Sequence, residues 1–416
     1  MAKEWQFDTK AIHLGNRPEE WLGASQVPIF QSASYRYGSA EELSEVFAGK
    51  KPGYIYQRMG NPTSRILEQR LASLEQGKNA IVFASGMAAI TNAVLTLSRA
   101  GDEIISGDSL FMSTYLFFTK FLTRFGVKVH LVDTSDPQNF KARINSRTRA
   151  IYLETIGNPA MDVPEQKAIC DIAHNEGIPV LVDNTLATPY LFRPIEAGAD
   201  IVIHSTTKFL NGHGSAVGGA VIDSGNFNFR SRRFPDFEQS YQRAKSLAFC
   251  DKLWRDNFII LGSFQAPLHS YLTLLGIETL PLRMERHLAN AQKLANFLEG
   301  HGKVEWVNYP GLKSSPYNKI AKKQFKGKGF GSLLTFGLKN QAQCFSLIRK
   351  LKLCCQLANL GDAKTLVIHP WSSQYLSFAE DIKSSLGIKR EMIRVSVGLE
   401  AIEDIIDDFD RALKKI

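Results

Sequence analysis

The stretch VLVDNTLATPYLFRPIEAGADIVIHSTTKF, residues 180–209, decides how this chain folds. It holds two short aliphatic runs, Val180–Asp183 and Ile201–His204, too unbroken in hydrophobicity for strands with one wet face. Each run ends in polar residues: Asp183-Asn184-Thr185 after the first, Ser205-Thr206-Thr207-Lys208 after the second. In parallel sheets covered by helices, ligands gather beyond the carboxyl ends of the strands. An acid at one strand end and a lysine at the next therefore stand where such folds place chemistry. Asp183 alone would read as a cap for the following turn. Lys208 is harder to explain as structure, because desolvation disfavours its charge. It makes sense as an amine whose pKa is lowered so that it can attack a carbonyl.

The same alternation extends outward in both directions. Ala80–Ala84 leads into a helix from Gly86 to about Ser98. Glu103–Ser106 precedes one long helix across Leu110–Phe125, and Val127–Val132 follows. Ala150–Glu154, a helix over Pro164–Glu176 and a strand at Gly219–Ile222 complete the series. The pattern predicts an α/β fold whose large domain is a mostly parallel sheet with helices on both faces. Beyond it come a helical region from Leu268 to Leu298 with a break near Pro281, strands at Ser332–Phe336 and Met392–Val397, and a helix over Ile402–Lys415. These form a smaller α+β C-terminal domain. The expected division is an N-terminal arm over 1–60, a large domain over 61–265 and a C-terminal domain over 266–416.

With 416 residues, 44% hydrophobic and 22% charged, the chain has the composition of a soluble globular protein. The most apolar stretch, Ile81–Leu97, is interrupted by Ser85, Gly86, Thr91 and Asn92, so no membrane span is expected. Met1–Thr9 lacks the apolar centre of a signal peptide. The five cysteines are odd in number and show no CxxC spacing. They read as reduced thiols, and the expected location is the cytoplasm. A net charge of +9 raises the question of nucleic acid. The main basic run, Lys313 to Lys328, holds lysines 313, 319, 322, 323, 326 and 328 without an acid, few aromatics and no nucleic-acid-binding motif. It reads as a solvated face, with no nucleic-acid partner expected. No metal-binding histidine spacing, GxGxxG, GxxxxGK[ST] or GxSxG occurs.

One further segment completes a constellation. Ala84-Ser85-Gly86-Met87-Ala88-Ala89 joins an apolar run to a helix. A small-residue turn there presents free N–H groups and the positive dipole end to a phosphate. With Asp183 and Lys208 it supplies what pyridoxal phosphate requires: a phosphate cup, an acid for the pyridinium nitrogen and a Schiff-base lysine. Ser205 and Thr207 are placed to add hydroxyls to the phosphate.

These residues carry a resemblance to the cysteine/methionine-metabolism enzymes of the aspartate-aminotransferase fold, the fold type I pyridoxal-phosphate proteins. It runs from about Thr9 to the C-terminus. Tyr54-Ile55-Tyr56-Gln57-Arg58-Met59-Gly60-Asn61-Pro62-Thr63 looks like that family's YxRxxNPT segment. The resemblance implies that Tyr56 and Arg58 reach a neighbouring subunit's cofactor phosphate, and that the protein is a homo-oligomer, a tetramer of two dimers. It implies that Ser85, Gly86 and Met87 serve the phosphate and that Asn158, in Gly157-Asn158-Pro159, lies near the cofactor O3′ and the substrate. By the same resemblance, Arg394, in Ile393-Arg394-Val395-Ser396, clamps the substrate α-carboxylate.

Asn211-Gly212-His213-Gly214, Gly361-Asp362-Ala363-Lys364-Thr365 and the insertion-like Phe227–Phe258 are similar to the O-acylhomoserine sulfhydrylases, with Thr365 at the substrate. The expected reaction is γ-replacement on an O-acylhomoserine by a small sulfur nucleophile. The alternatives are γ-elimination, γ-substitution with a nitrogen or carbon nucleophile, and a catalytically silent binding protein. Two segments depart from the family pattern. Leu110-Phe111-Met112-Ser113-Thr114 replaces an LYGGT-like turn, so Phe111 stacks on the cofactor without a hydroxyl. His369-Pro370-Trp371-Ser372-Ser373-Gln374-Tyr375 replaces an HPASTTH-like segment.

Overall fold

The computed structural model describes residues 5–416, so the first four positions of the expected arm fall outside it. Seven strands form the larger sheet: β1 (Asn79–Phe83), β2 (Glu103–Gly107), β3 (Lys128–Val132), β4 (Thr148–Glu154), β5 (Val180–Asp183), β6 (Ile201–His204) and β7 (Gly219–Asp223). Their order is β1-β7-β6-β5-β4-β2-β3, with β7 antiparallel to both its neighbours and every other pairing parallel. Alternate residues leave the sheet on opposite faces. Val180, Val182 and Val202 enter one apolar cluster, while Leu181, Ile201 and Ile203 enter the other. Burial on both sides is why these strands read as unbroken aliphatic runs.

A second sheet has the order β10-β11-β12-β9-β8. Its strands are β8 (Trp306–Asn308), β9 (Leu333–Gly337), β10 (Cys355–Gln356), β11 (Leu366–Ile368) and β12 (Met392–Ser396). Leu334, Phe336, Ile393 and Val395 from this sheet share a core with helices Leu280–Glu299, Gln341–Lys350 and Ile402–Leu413.

Three segments differ from their sequence reading. The helix expected over Leu110–Phe125 divides into an α-helical turn (Met112–Leu116), a π-helical turn (Phe117–Phe121) and a 3-10 turn (Leu122–Phe125). Packed rings run along it: Phe117 to Phe121 at 5.6 Å and Phe121 to Phe125 at 5.0 Å. The break expected near Pro281 falls at Thr279, between helices Pro267–Glu278 and Leu280–Glu299. Pro281 then lies in the first turn of the second helix, where no N–H is needed. The N-terminal region carries helix Phe7–His13, whose Ala11 is fully buried. The buried Arg70 donates to the Leu14 carbonyl at 3.0 Å and to Asn16 Oδ1 at 2.9 Å, so this part of the arm packs on its own chain.

Candidate active site

The carboxyl ends of β4, β5 and β6 meet at one edge of the larger sheet. Glu154 and Asp183 are partners in register across β4 and β5, so both carboxylates leave the same face. Asp183 Oδ1 accepts from the Thr185 N–H at 2.9 Å, and Tyr152 Oη donates to Oδ2 at 3.4 Å. Burial raises the Asp183 pKa, and the Thr185 contacts only partly oppose it. Such a carboxylate suits a cationic partner that would bring it back to its charged form.

Beside it, helix Gly86–Leu97 opens with Ser85 as its cap, the Ser85 hydroxyl accepting from Ala88 N–H at 3.1 Å. A Cβ on Gly86 would lie 2.7 Å from the Ser205 Cβ and 3.0 Å from its Oγ. Only glycine lets the helix N-terminus come this close to the end of β6. The loop after β6 is held by Thr185, whose hydroxyl accepts from the Ser205 N–H at 2.8 Å. The Thr207 hydroxyl exchanges hydrogen bonds with Gly218, accepting from its N–H at 3.0 Å and donating to its carbonyl at 3.2 Å. Met87, partly buried, follows Gly86 in the first helical turn.

Lys208 ends a chain of hydrogen bonds that crosses between the two sheets. Its Nζ donates to Asn359 Oδ1 at 2.7 Å. The Asn359 backbone carbonyl accepts from Arg394 Nη2 at 3.2 Å, and Arg394 Nη1 donates to Asn158 Oδ1 at 3.1 Å. Arg394 lies on β12 and is almost completely buried. Burial, with the Arg394 charge adding to it, lowers the Lys208 pKa to about 8. A minor share of this amine, roughly a tenth to a fifth, is therefore neutral and nucleophilic near physiological pH, far more than for an ordinary lysine. Phe111 is fixed through its backbone, its N–H donating to Glu154 Oε1 at 2.7 Å. Burial and the neighbouring Asp183 push the Glu154 pKa well up.

One expected substrate contact lands elsewhere. Thr365 is fully buried, with its N–H and hydroxyl donating to Glu400 at 2.7 and 2.8 Å and its Oγ1 accepting from Gly398 N–H at 2.9 Å. No group is left for a substrate, and Thr365 braces the turn after β12. Tyr56 and Arg58 lie at the edge of the chain. Tyr56 is 45% exposed, the Arg58 guanidinium covers its ring at 5.6 Å, and Arg58 Nη1 donates to the Ile259 carbonyl at 2.8 Å.

A family model described as Cys/Met metabolism PLP-dependent enzyme matches residues 8–414. The chain belongs to this family. It is 42% identical to a homocysteine synthase of Schizosaccharomyces pombe, over 98% of this chain and 98% of that one. It is 40% identical to an O-acetyl-L-homoserine sulfhydrylase of Leptospira meyeri, over 100% of this chain and 98% of that one. Among solved structures, a putative O-acetylhomoserine (thiol)-lyase of Campylobacter jejuni containing pyridoxyl-lysine monophosphate superposes with a TM-score of 0.95 and 33% identity, covering 99% of this chain and 100% of that one.

Membership makes pyridoxal 5′-phosphate the cofactor, and the residues fit it. Gly86 leaves a cradle that a single Cβ would fill, Asp183 is a buried acid, and Lys208 is an amine of lowered pKa. Two members of the site escaped the sequence reading. Asn359 lies two residues before the Gly361–Thr365 motif, and Glu154 ends a strand that reads as ordinary core. Glu154 alone carried a local signal, since a carboxylate at a buried strand end repeats the reasoning applied to Asp183.

Proposed function

We propose that this enzyme replaces the γ-acyloxy group of an O-acylhomoserine with a sulfur nucleophile, giving products of the homocysteine type. When bound, pyridoxal phosphate supplies an electron sink that acidifies the substrate carbons next to the amino group. Asp183 holds the ring nitrogen protonated, while the Gly86–Met87 amides, Ser205 and Thr207 hold the phosphate. Thr207 gives up its donation to Gly218 to do so. Arg394 grips the α-carboxylate as a bidentate fork, with Asn158 beside it. Lys208 would hold the cofactor aldehyde and, with substrate bound, would receive the α-proton and move protons between neighbouring carbons. The acyl carboxylate departs from the γ-carbon and the sulfur nucleophile bonds there. Tyr56 and Arg58 complete the phosphate site of a second subunit, within a tetramer of two dimers. The five cysteines are free thiols, and no helix among the described residues is long and apolar enough to cross a membrane. Both features fit work in the cytoplasm.

The hydroxyl-free ring of Phe111, held by Glu154, carries the choice of leaving group. A thiolate departs more readily with a proton supplied, whereas a carboxylate leaves as a stable anion. General acid assistance is worth roughly 10²–10⁴-fold where it is needed. Measurement of kcat/KM for O-acetylhomoserine, O-succinylhomoserine and methionine on one preparation should therefore favour the esters by about that margin. If methionine matches both esters, γ-elimination takes the place of this reading. Mass spectrometry of products formed with sulfide, cysteine or no nucleophile then identifies the incoming group.

A further inference from the structure

The hydrogen-bond chain from Lys208 through Asn359, Arg394 and Asn158 has a fifth member. Tyr375 Oη donates to the Asn158 backbone carbonyl at 3.4 Å, and the residue is 2% exposed. Tyr375 occupies the last position of the segment that departs from the family pattern. Its ring packs edge-on against Phe378 at 5.4 Å, and Phe378 lies against Tyr115 at 5.5 Å. Met112, Tyr115 and Trp371 border the same cluster. Residues flanking Phe111 and the altered 369–375 segment thus meet in one place, although they are far apart in sequence.

A buried phenol without a partner is costly, so its position is not free. The Arg394 guanidinium and the Met112 backbone both act on the Tyr375 hydroxyl, yet burial dominates and keeps its proton on. A protonated phenol donates, and the acceptor it has is the carbonyl of the residue whose side chain holds Arg394. The ring is walled in by Phe378, Leu386 and Ile388. Few rotamers remain to it, and it fixes Asn158 from behind.

We propose that Tyr375 is a positioning residue for the substrate carboxylate: its phenol holds Asn158, and through Asn158 it holds Arg394 in the orientation that receives a bidentate anion. This rests on the reading of Arg394 as the carboxylate clamp. The altered segment thereby supplies a phenol behind the clamp, packed beside the residues that follow the ring that lacks one. Its role is orientation, with no proton transferred to the substrate.

The test is a pair of titrations on the holoenzyme, read through cofactor absorbance, with L-alanine and with ethylamine, the same amine without a carboxylate. The ratio of the two dissociation constants isolates what the carboxylate contributes. In Tyr375→Phe that ratio should narrow by about tenfold, the effect of one lost hydrogen bond, while ethylamine binds as before. KM for the O-acylhomoserine should rise by a similar factor with kcat within about threefold of wild type. Arg394→Lys should collapse the ratio further. If Arg394→Lys collapses it and Tyr375→Phe leaves it within twofold of wild type, the positioning role is wrong and the clamp stands. An unchanged ratio in Arg394→Lys overturns both. A general loss of affinity for ethylamine and alanine alike in Tyr375→Phe would mark a packing defect and also overturn the proposal.

Discussion

Lys208 is held by burial as an amine that gives up its proton near pH 8 instead of the ordinary 10.5. Only the neutral form attacks the cofactor aldehyde, so the rate at which apoenzyme captures pyridoxal phosphate should climb through a midpoint near pH 8 and level off about a unit above it. Stopped-flow absorbance from pH 6 to 10 would reveal a midpoint near 10 instead, should the burial argument fail. The same shift bears on stability. The folded chain sheds this proton before the unfolded chain does, so between about pH 8 and 10.5 the unfolded state binds more protons and apoenzyme stability gains with rising pH from this group. Lys208→Ala should keep the phosphate cup and lose the covalent linkage, leaving no Schiff-base absorption band. Asp183→Asn should bind cofactor and lose about 10²-fold or more in turnover, because a neutral amide does not hold the ring nitrogen protonated. A rate within a few-fold of wild type would remove Asp183 from that role. Lys208 and Asp183 were legible because a charged residue at the end of an aliphatic run is conspicuous. Asn359 was not: an amide in a loop carries no local signal, and its partners Lys208 and Arg394 lie 151 and 35 residues away.

At the scale of elements, the site depends on how near a helix start comes to a strand end. The N-terminus of Gly86–Leu97 sits against Ser205 just past β6, and the gap is set by the missing Cβ of Gly86. Gly86→Ala places a methyl 2.7 Å from the Ser205 Cβ, so helix and loop must separate. The free amides then move away from the phosphate. The expected outcome is a fold with unchanged circular dichroism and a cofactor dissociation constant raised by at least about tenfold, the size of one charge-assisted hydrogen bond. Equilibrium dialysis of the apo variant decides it; unaltered affinity would take the phosphate away from this helix. The central strands of the larger sheet were readable from their aliphatic runs because burial on both faces leaves no polar alternation to interpret. The helix over Leu110–Phe125 was readable only as helical. Its π-helical turn arises where Phe117 and Phe118 sink into the core beside Tyr152, a tertiary demand with no counterpart in local propensity. Thr365 shows the converse: a motif residue resembling a substrate contact has its hydrogen bonds used up by Glu400 and Gly398.

For the whole molecule, the two sheets meet across the Lys208–Arg394 hydrogen-bond chain, but one part of the expected site does not close within the chain. Tyr56 and Arg58 stand at an edge where Ile260 and Leu261 are 73% and 53% exposed, next to a cavity of about 830 Å³ lined by Tyr54, Gln57, Met59, Trp254 and Ile260. An apolar patch of this kind is what the proposed association with a second subunit would cover. A second copy related by a two-fold axis would cover both patches at once and bring each Arg58 to the other's cofactor site. Arg58→Ala and Lys208→Ala should each be nearly inactive alone. In a hybrid dimer, the Lys208 of one protomer and the Arg58 of the other form one intact site, while the second site loses both. Subunits mixed in equal amounts and reassembled at random should therefore regain about a quarter of wild-type activity per site. That recovery should follow the kinetics of subunit exchange and vanish when exchange is blocked by cross-linking before mixing. Sedimentation of the wild-type holoenzyme at assay concentration supplies the complementary measurement. A fully active monomer there, or no recovery after verified exchange, would place Arg58 in its own chain's site and end the shared-site reading.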